Sequence, residues 1–212
     1  MEETLVHRKA WLWLAWAAVM VLCSAPAAQE APADAGAVDE QIQKLVADVE
    51  AAPANVELRV QLGNLYYENG MLDQALASYL EATRLDSLHV GARLNLASVY
   101  ADKGDTKDAI AELKHALRLD PSNPMITTNL GSVYYGLQQY NEAVDMYRAA
   151  LSIAPNYTEA HFNLAVAFAD AQVFEEAIRE WQKVIELAPG SAAARVSADN
   201  IRMIEEFRGT TK

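Results

Sequence analysis

The sequence predicts an all-α fold in which a pair of helices is repeated four times without insertion. Three observations predict it. Apolar residues make up 52% of the chain, with only 9 glycines and 7 prolines, a composition that allows a core and favours helix. "NLA" at Asn95-Leu96-Ala97 returns at Asn163-Leu164-Ala165, with Asn129-Leu130-Gly131 midway between them, so the asparagine comes back at every thirty-fourth position. Within each such interval the apolar residues recur at spacings of three and four, as one face of a helix requires.

The elements follow in order. Residues 10–29, "AWLWLAWAAVMVLCSAPAAQ", carry no charge, and Arg8 and Lys9 precede them. A basic flank, an apolar core and the small residues Ala25-Pro26-Ala27-Ala28 form the pattern of a cleaved secretory signal over residues 1–28. The same stretch is just long enough to remain as a membrane anchor, with Trp11, Trp13 and Trp16 near one interface. Lipidation of Cys23, the sole cysteine, is a third reading, with Leu22 in the place of the small residue that such processing wants. All three put residues 30–212 outside the cytoplasm, because the positive flank stays inside. The tryptophan-rich segment and the Ala-Pro composition after it suit a bacterial periplasm. Residues 29–38 read as a flexible linker, and 39–54 as a capping helix with Ile42, Leu45, Val46 and Val49 turned towards the first repeat.

Four units follow: 56–89, 90–123, 124–157 and 158–191. Their seventh position is leucine (Leu62, Leu96, Leu130, Leu164) and their eighth is small (Gly63, Ala97, Gly131, Ala165). The eleventh is aromatic (Tyr66, Tyr100, Tyr134, Phe168) and the twentieth is alanine (Ala75, Ala109, Ala143, Ala177). The twenty-fourth is large (Tyr79, Leu113, Tyr147, Trp181). Small residues are needed where two helix backbones approach, and large ones fill the space on either side. Gly70 and Gly104 sit between the two helices of their units, where a left-handed residue ends the first. Gln138 and Gln172 hold that place in the later units, which predicts a different closure there. Pro121, Pro155 and Pro189 stop the second helices. Residues 192–208 predict a C-terminal capping helix, with Asp199 and Arg202 where a fifth unit would need small and aromatic residues; 209–212 are a tail.

This pattern resembles the tetratricopeptide repeat (TPR) family. The resemblance implies a right-handed α-solenoid of four helix pairs with flanking caps, and a concave surface lined by the first helix of each pair. Carried over from the family, that surface includes Asn64, Tyr67, Leu94, Asn95, Ser98, Asn129, Tyr135, Phe162 and Asn163, with Glu57, Glu68, Asp102, Glu159 and Asp170 beside them and no lysine or arginine. The clamp by which some members hold a C-terminal carboxylate is excluded. Asn64 and Asn95 match it, but its cationic positions hold Val60, Met125 and Asn129, and a carboxylate without a cation loses its strongest partner. Other members use position six as an asparagine ladder that holds a peptide backbone. Asn95, Asn129 and Asn163 match that ladder, and an amide can serve any peptide unit because it both donates and accepts. Solvated surface asparagine is the bland alternative.

No enzymatic chemistry is expected. His7, His89, His115 and His161 lack metal-ligand spacing, no phosphate loop or nucleophile elbow appears, and the repeats and caps use nearly all residues. No cofactor or metal is implied, nor any small-molecule substrate. The net charge of −12 without a basic run argues against a nucleic-acid partner; membrane contact would come only through the N-terminal segment. The expected role is an extracytoplasmic adaptor that binds an extended peptide or partner protein in assembly or maintenance of an envelope complex. A maturation chaperone presenting an unfolded client, as in cytochrome c assembly, and a purely structural oligomer are the alternatives.

Overall fold

The computed structural model describes residues 35–210, which form ten helices. The expected signal or anchor lies outside them. Among the described residues no helix is long and apolar enough to cross a membrane. The helices fall into two compact units, residues 35–122 and 123–210. The first holds α1 (Ala35–Ala51), α2 (Val56–Glu68), α3 (Leu72–Leu85), α4 (Val90–Asp102) and α5 (Thr106–Leu119). The second holds α6 (Pro124–Gly136), α7 (Tyr140–Ile153), α8 (Thr158–Asp170), α9 (Phe174–Leu187) and α10 (Ala192–Thr210). Each unit therefore contains two helix pairs and one cap. Helix α1 begins at Ala35, so part of the expected linker is already helical, and α10 continues past residue 208.

The first helix of every pair starts on the first residue of its repeat. Asn55 and Asn123 cap α2 and α6 by accepting from the amides of Leu58 and Met125. His89 does the same for α4 through Nδ1, at 2.9 Å from the Ala92 nitrogen. Such side chains satisfy amides that have no partner inside the helix. The second helices end at Leu85, Leu119, Ile153 and Leu187, in step even where Ser87 replaces proline. Proline therefore reinforces that stop without setting it.

Between the helices of a pair, the amide of Gly70 bonds the Tyr67 carbonyl and that of Met71 reaches back to Tyr66, both at 2.9 Å. This is the Schellman closure, which needs one left-handed residue. The later turns close in the same way, contrary to what their glutamines suggest. Gln138 and Gln172 both have φ of 60°, and Gln139 and Val173 bond Tyr134 and Phe168 at 2.9 and 2.8 Å. The bonds and the packing around each turn outweigh a steric cost of roughly 1–2 kcal/mol for a residue with a Cβ.

The columns of small residues are where the helices of a pair meet. Ala75, Ala109, Ala143 and Ala177 are fully buried, and so are Ala82, Ala116, Ala150 and Val184. At position eight the approach is closer still in two repeats. A Cβ added to Gly63 would lie 2.5 Å from Tyr79 Cε1, and one on Gly131 would lie 2.6 Å from Tyr147 Cε1. Glycine there is the condition for a buried tyrosine at position twenty-four. The other repeats combine alanine with Leu113 and with Trp181. Helix α10 turns Ala194, Ser197 and Ile204 inward and leaves Asp199 and Arg202 exposed as a mutual ion pair.

Replacing Gln138 or Gln172 with glycine should stabilise the protein by about 0.5–1 kcal/mol each, the relief of left-handed strain exceeding glycine's larger unfolded-state entropy. Urea unfolding followed by circular dichroism measures it; unchanged or lower stability would show that these glutamines are not strained.

Candidate functional site

The surface predicted to bind is built by the first helices, and in each unit two of them are joined by the same hydrogen bonds. In the first unit Tyr79, on α3, donates to Asn64 Oδ1 at 2.7 Å, and Asn95 on α4 donates to that same oxygen at 2.8 Å. In the second, Tyr147 donates to Ser132 Oγ at 3.3 Å, and Asn163 donates to it at 3.4 Å. Burial, foremost, and the nearby Glu68 carboxylate hold the Tyr79 phenol above its ordinary range. It stays a neutral donor.

A second link joins the ends of the same helices. Tyr67 donates to Asp102 at 2.6 Å, and Tyr135 donates to Asp170. Tyr140 meets the Tyr135 ring edge-on, with centroids 5.5 Å apart. Burial pushes the Asp170 carboxyl above the usual carboxylate range, and the bond from Tyr135 offsets that only in part. In sequence, Leu113 and Ala101 stand in the two tyrosine columns of the second repeat and Gly136 in the aspartate column of the third. Both links therefore recur in every second repeat and are missing from the one between.

The predicted ladder is thus divided. Asn95 and Asn163 already commit a donor to a neighbouring helix. Asn129, half-buried, has no side-chain hydrogen-bond partner among the described residues. Ser98 is half-buried and bonds its own helix at the Leu94 carbonyl. Leu94 and Phe162 were expected on the concave surface and are core residues instead, 8% and 2% exposed. Their column is buried throughout, with Val60 and Thr128, because position five faces a neighbouring helix. Asn64, Tyr67 and Tyr135 are half-buried and tied in as described.

Position four carries bonds that the apolar columns did not reveal. Arg93 is 6% exposed, donates to the Ser87 carbonyl at 3.0 and 2.7 Å, and pairs with Glu112 at 2.6 Å. His161 is its counterpart, between the Pro155 carbonyl at 2.9 Å and Glu180 at 2.6 Å. Arg59 and Arg195 reach the Pro53 and Gly190 carbonyls in the same way. The signal was legible as Arg59, Arg93, His161 and Arg195 in one column. These residues anchor turns. A cleft between α7 and α9 is lined by Arg148, Arg179, Lys183 and Phe168, but Arg179 and Lys183 are paired with Glu176 and Glu186. No group of three or more His, Cys, Asp or Glu side chains suited to a metal occurs among the described residues.

Helix pairs at a fixed sequence interval, with small residues at their crossings, define the class. Residues 60–124, 131–172 and 159–191 match tetratricopeptide-repeat models, so the chain carries TPR repeats. No curated protein matches it. Among solved structures, MamA shares 26% identity with a TM-score of 0.62, covering 72% of this chain and 89% of its own. YrrB, described as a TPR protein with an unusual peptide-binding site, shares 28% with a TM-score of 0.55, covering 76% and 84%. TTC0263, a thermophilic TPR protein in Thermus thermophilus, shares 21% with a TM-score of 0.69, covering 79% and 92%; that likeness bears on the fold alone.

The tyrosine-to-position-nine bond has an unfilled version at the end of the second unit. There position twenty-four is Trp181, position nine is Val166, and the next position six is Ser197 in the cap. Trp181 Nε1 and Ser197 Oγ are both buried without a partner, and Val166 lies in the same core cluster as Trp181. Each such orphan costs about 1–3 kcal/mol. Val166→Asn, which supplies the Asn64 chemistry, should raise stability by roughly 0.5–2 kcal/mol despite the lost apolar burial. Val166→Ala should lower it by about 1–3 kcal/mol. Thermal melting distinguishes them; a loss in both variants would mean that the amide cannot reach these groups.

Proposed function

We propose that this chain is a non-enzymatic adaptor outside the cytoplasm that holds an extended polypeptide against the first helices of its repeats, in assembly or maintenance of an envelope complex. The observation that carries the reading is Asn129, a half-buried amide in the ladder column with no side-chain partner among the described residues. An amide so placed offers a donor and an acceptor to a peptide unit. The likeness to YrrB, described as having a peptide-binding site, supports a peptide as the ligand. The uncharged segment 10–29 behind Arg8 and Lys9 supports the location.

The internal bonds of the ladder decide how it must be tested. Asn95→Ala and Asn163→Ala remove such bonds, so a loss of binding would be mixed with a loss of stability. Asn129→Ala does not carry that confusion. A photo-crosslinking residue at the exposed Gln61 should capture a partner in intact cells, through an extended segment mapped by mass spectrometry. Asn129→Ala should reduce affinity for that segment about two- to tenfold, as one amide bond worth about 0.5–1.5 kcal/mol implies, with melting unchanged. Equal affinity in the variant would reduce Asn129 to solvated surface. For the location, a C-terminal reporter active only in the cytoplasm should be silent; strong activity would overturn it.

A further inference from the structure

Three of the first helices end on a negative charge that opposes their own dipole. Asp102 is the last residue of α4 and Asp170 the last of α8, at the end where the helix dipole disfavours an anion and a cation is the stabilising choice. Neither helix has a basic residue in its last turn, and α2 likewise ends on Glu68 without one. The second helices of the first unit follow the opposite rule, with Arg84 and Arg118 in their last turns. Asp102 is exposed and Asp170 half-buried, and the ion pairs among the described residues include neither.

A carboxylate drawn out of water needs hydrogen bonds or a cation. Asp170 receives one bond, from Tyr135, and that bond does not fully offset its burial. Asp102, open to solvent, receives the matching bond from Tyr67. In both places the tyrosine fixes where the carboxylate sits, so that a ligand need not order it. Beside Asp170 the edge-on rings of Tyr135 and Tyr140 add the aromatic surface that organic cations favour. The arrangement occurs once in each unit, at the same register position.

We propose that each unit takes a cationic extended segment on its first helices: Asp102 and Tyr67 receive an arginine or lysine side chain in the first unit, and Asp170 and Tyr135 receive one in the second. The proposal rests on the peptide-binding reading and adds the chemistry of the peptide. The charge is opposite to that of the C-terminal carboxylates excluded by Val60, Met125 and Asn129. The overall charge of −12 draws such a segment in, while the two tyrosine-held aspartates say where it is gripped.

Three capped nonapeptides test this on the full chain by titration calorimetry at physiological salt: alternating arginine and alanine, glutamate and alanine, and glutamine and alanine. The arginine peptide should bind at least tenfold more tightly than the other two. Asp102→Asn should weaken its binding to the first unit, and Asp170→Asn its binding to the second, about tenfold each, while Asp145→Asn and Glu205→Gln, which remove exposed charges elsewhere, should change either less than twofold. Melting temperature should hold or rise in both aspartate variants, since each removes a negative charge at a helix C-terminus; a fall would assign them a structural role and overturn the proposal. Equal losses from all four variants would also overturn it, in favour of diffuse attraction. Preference for the glutamine or glutamate peptide, weakened by Asn129→Ala, would overturn the cationic partner and keep peptide binding. Binding of none of the three would count against both.

Discussion

A tyrosine ring lying on a bare glycine is the contact on which the packing and the surface chemistry of each unit both depend. Tyr79 over Gly63 and Tyr147 over Gly131 fill the crossing between the helices of a pair, and no Cβ fits beneath them. Ring burial contributes about 1.5–3 kcal/mol, but the hydroxyl does a different job. It emerges among the first helices, at Asn64 in one unit and Ser132 in the other, and that residue in turn accepts from the asparagine of the next repeat. One side chain therefore sets the spacing of a helix pair and orients the polar groups beside it. A leucine at the same place, as in Leu113, can do only the first.

This coupling explains a period longer than the repeat. The helices obey the single repeat, because helix length, turn closure and the small residues at the crossings all return with it. The polar links obey the double repeat, because each needs a donor in one repeat and an acceptor in the next, so that neighbouring repeats must differ. Tyr67 with Asp102 and Tyr135 with Asp170 follow that rule, as do glycine-tyrosine repeats alternating with alanine-leucine and alanine-tryptophan ones. The two compact units each contain one complete donor repeat, one acceptor repeat and a cap. The fourth repeat, an acceptor, has no such link to the cap: with Val166 at position nine, Trp181 Nε1 and Ser197 Oγ are left buried without partners.

Helix boundaries are legible in the sequence because many residues vote on them together: leucine, small, aromatic and alanine columns all share one register. The turn at Gln138 misleads when that residue is weighed alone; its left-handed cost is real but smaller than the bonds that close around it. Leu94 and Phe162 show another limit. A column inherited from a family names a face of a helix, and position five of that face is buried in every repeat here. The asparagines stand in one column, but repetition cannot say whether an amide points to a neighbour or to a ligand; that depends on an acceptor such as Asn64 in the preceding repeat. Position four escapes notice for a simpler reason. Its residues share chemistry and not apolarity, and a search for core columns passes over Arg59, Arg93 and His161.

The placement of charge separates what holds this molecule together from what it can do. At position four, basic side chains in three repeats and the cap reach carbonyls at the turns, and Arg93 is matched further by a carboxylate, so burial there costs little. At the ends of α4 and α8 the signs are reversed: acids sit where a helix favours bases, with a tyrosine hydroxyl in place of a cation. A chain under selection for stability alone has a simple remedy, since asparagine could accept the same tyrosine bond without the charge. Aspartate stands at both positions, each held by a tyrosine of the preceding first helix and neither paired with a cation, so the negative charge itself is not matched within the fold. The glycine-tyrosine crossings and the turn anchors hold the repeats together with matched groups, and the ends of the first helices are where charge stays unmatched.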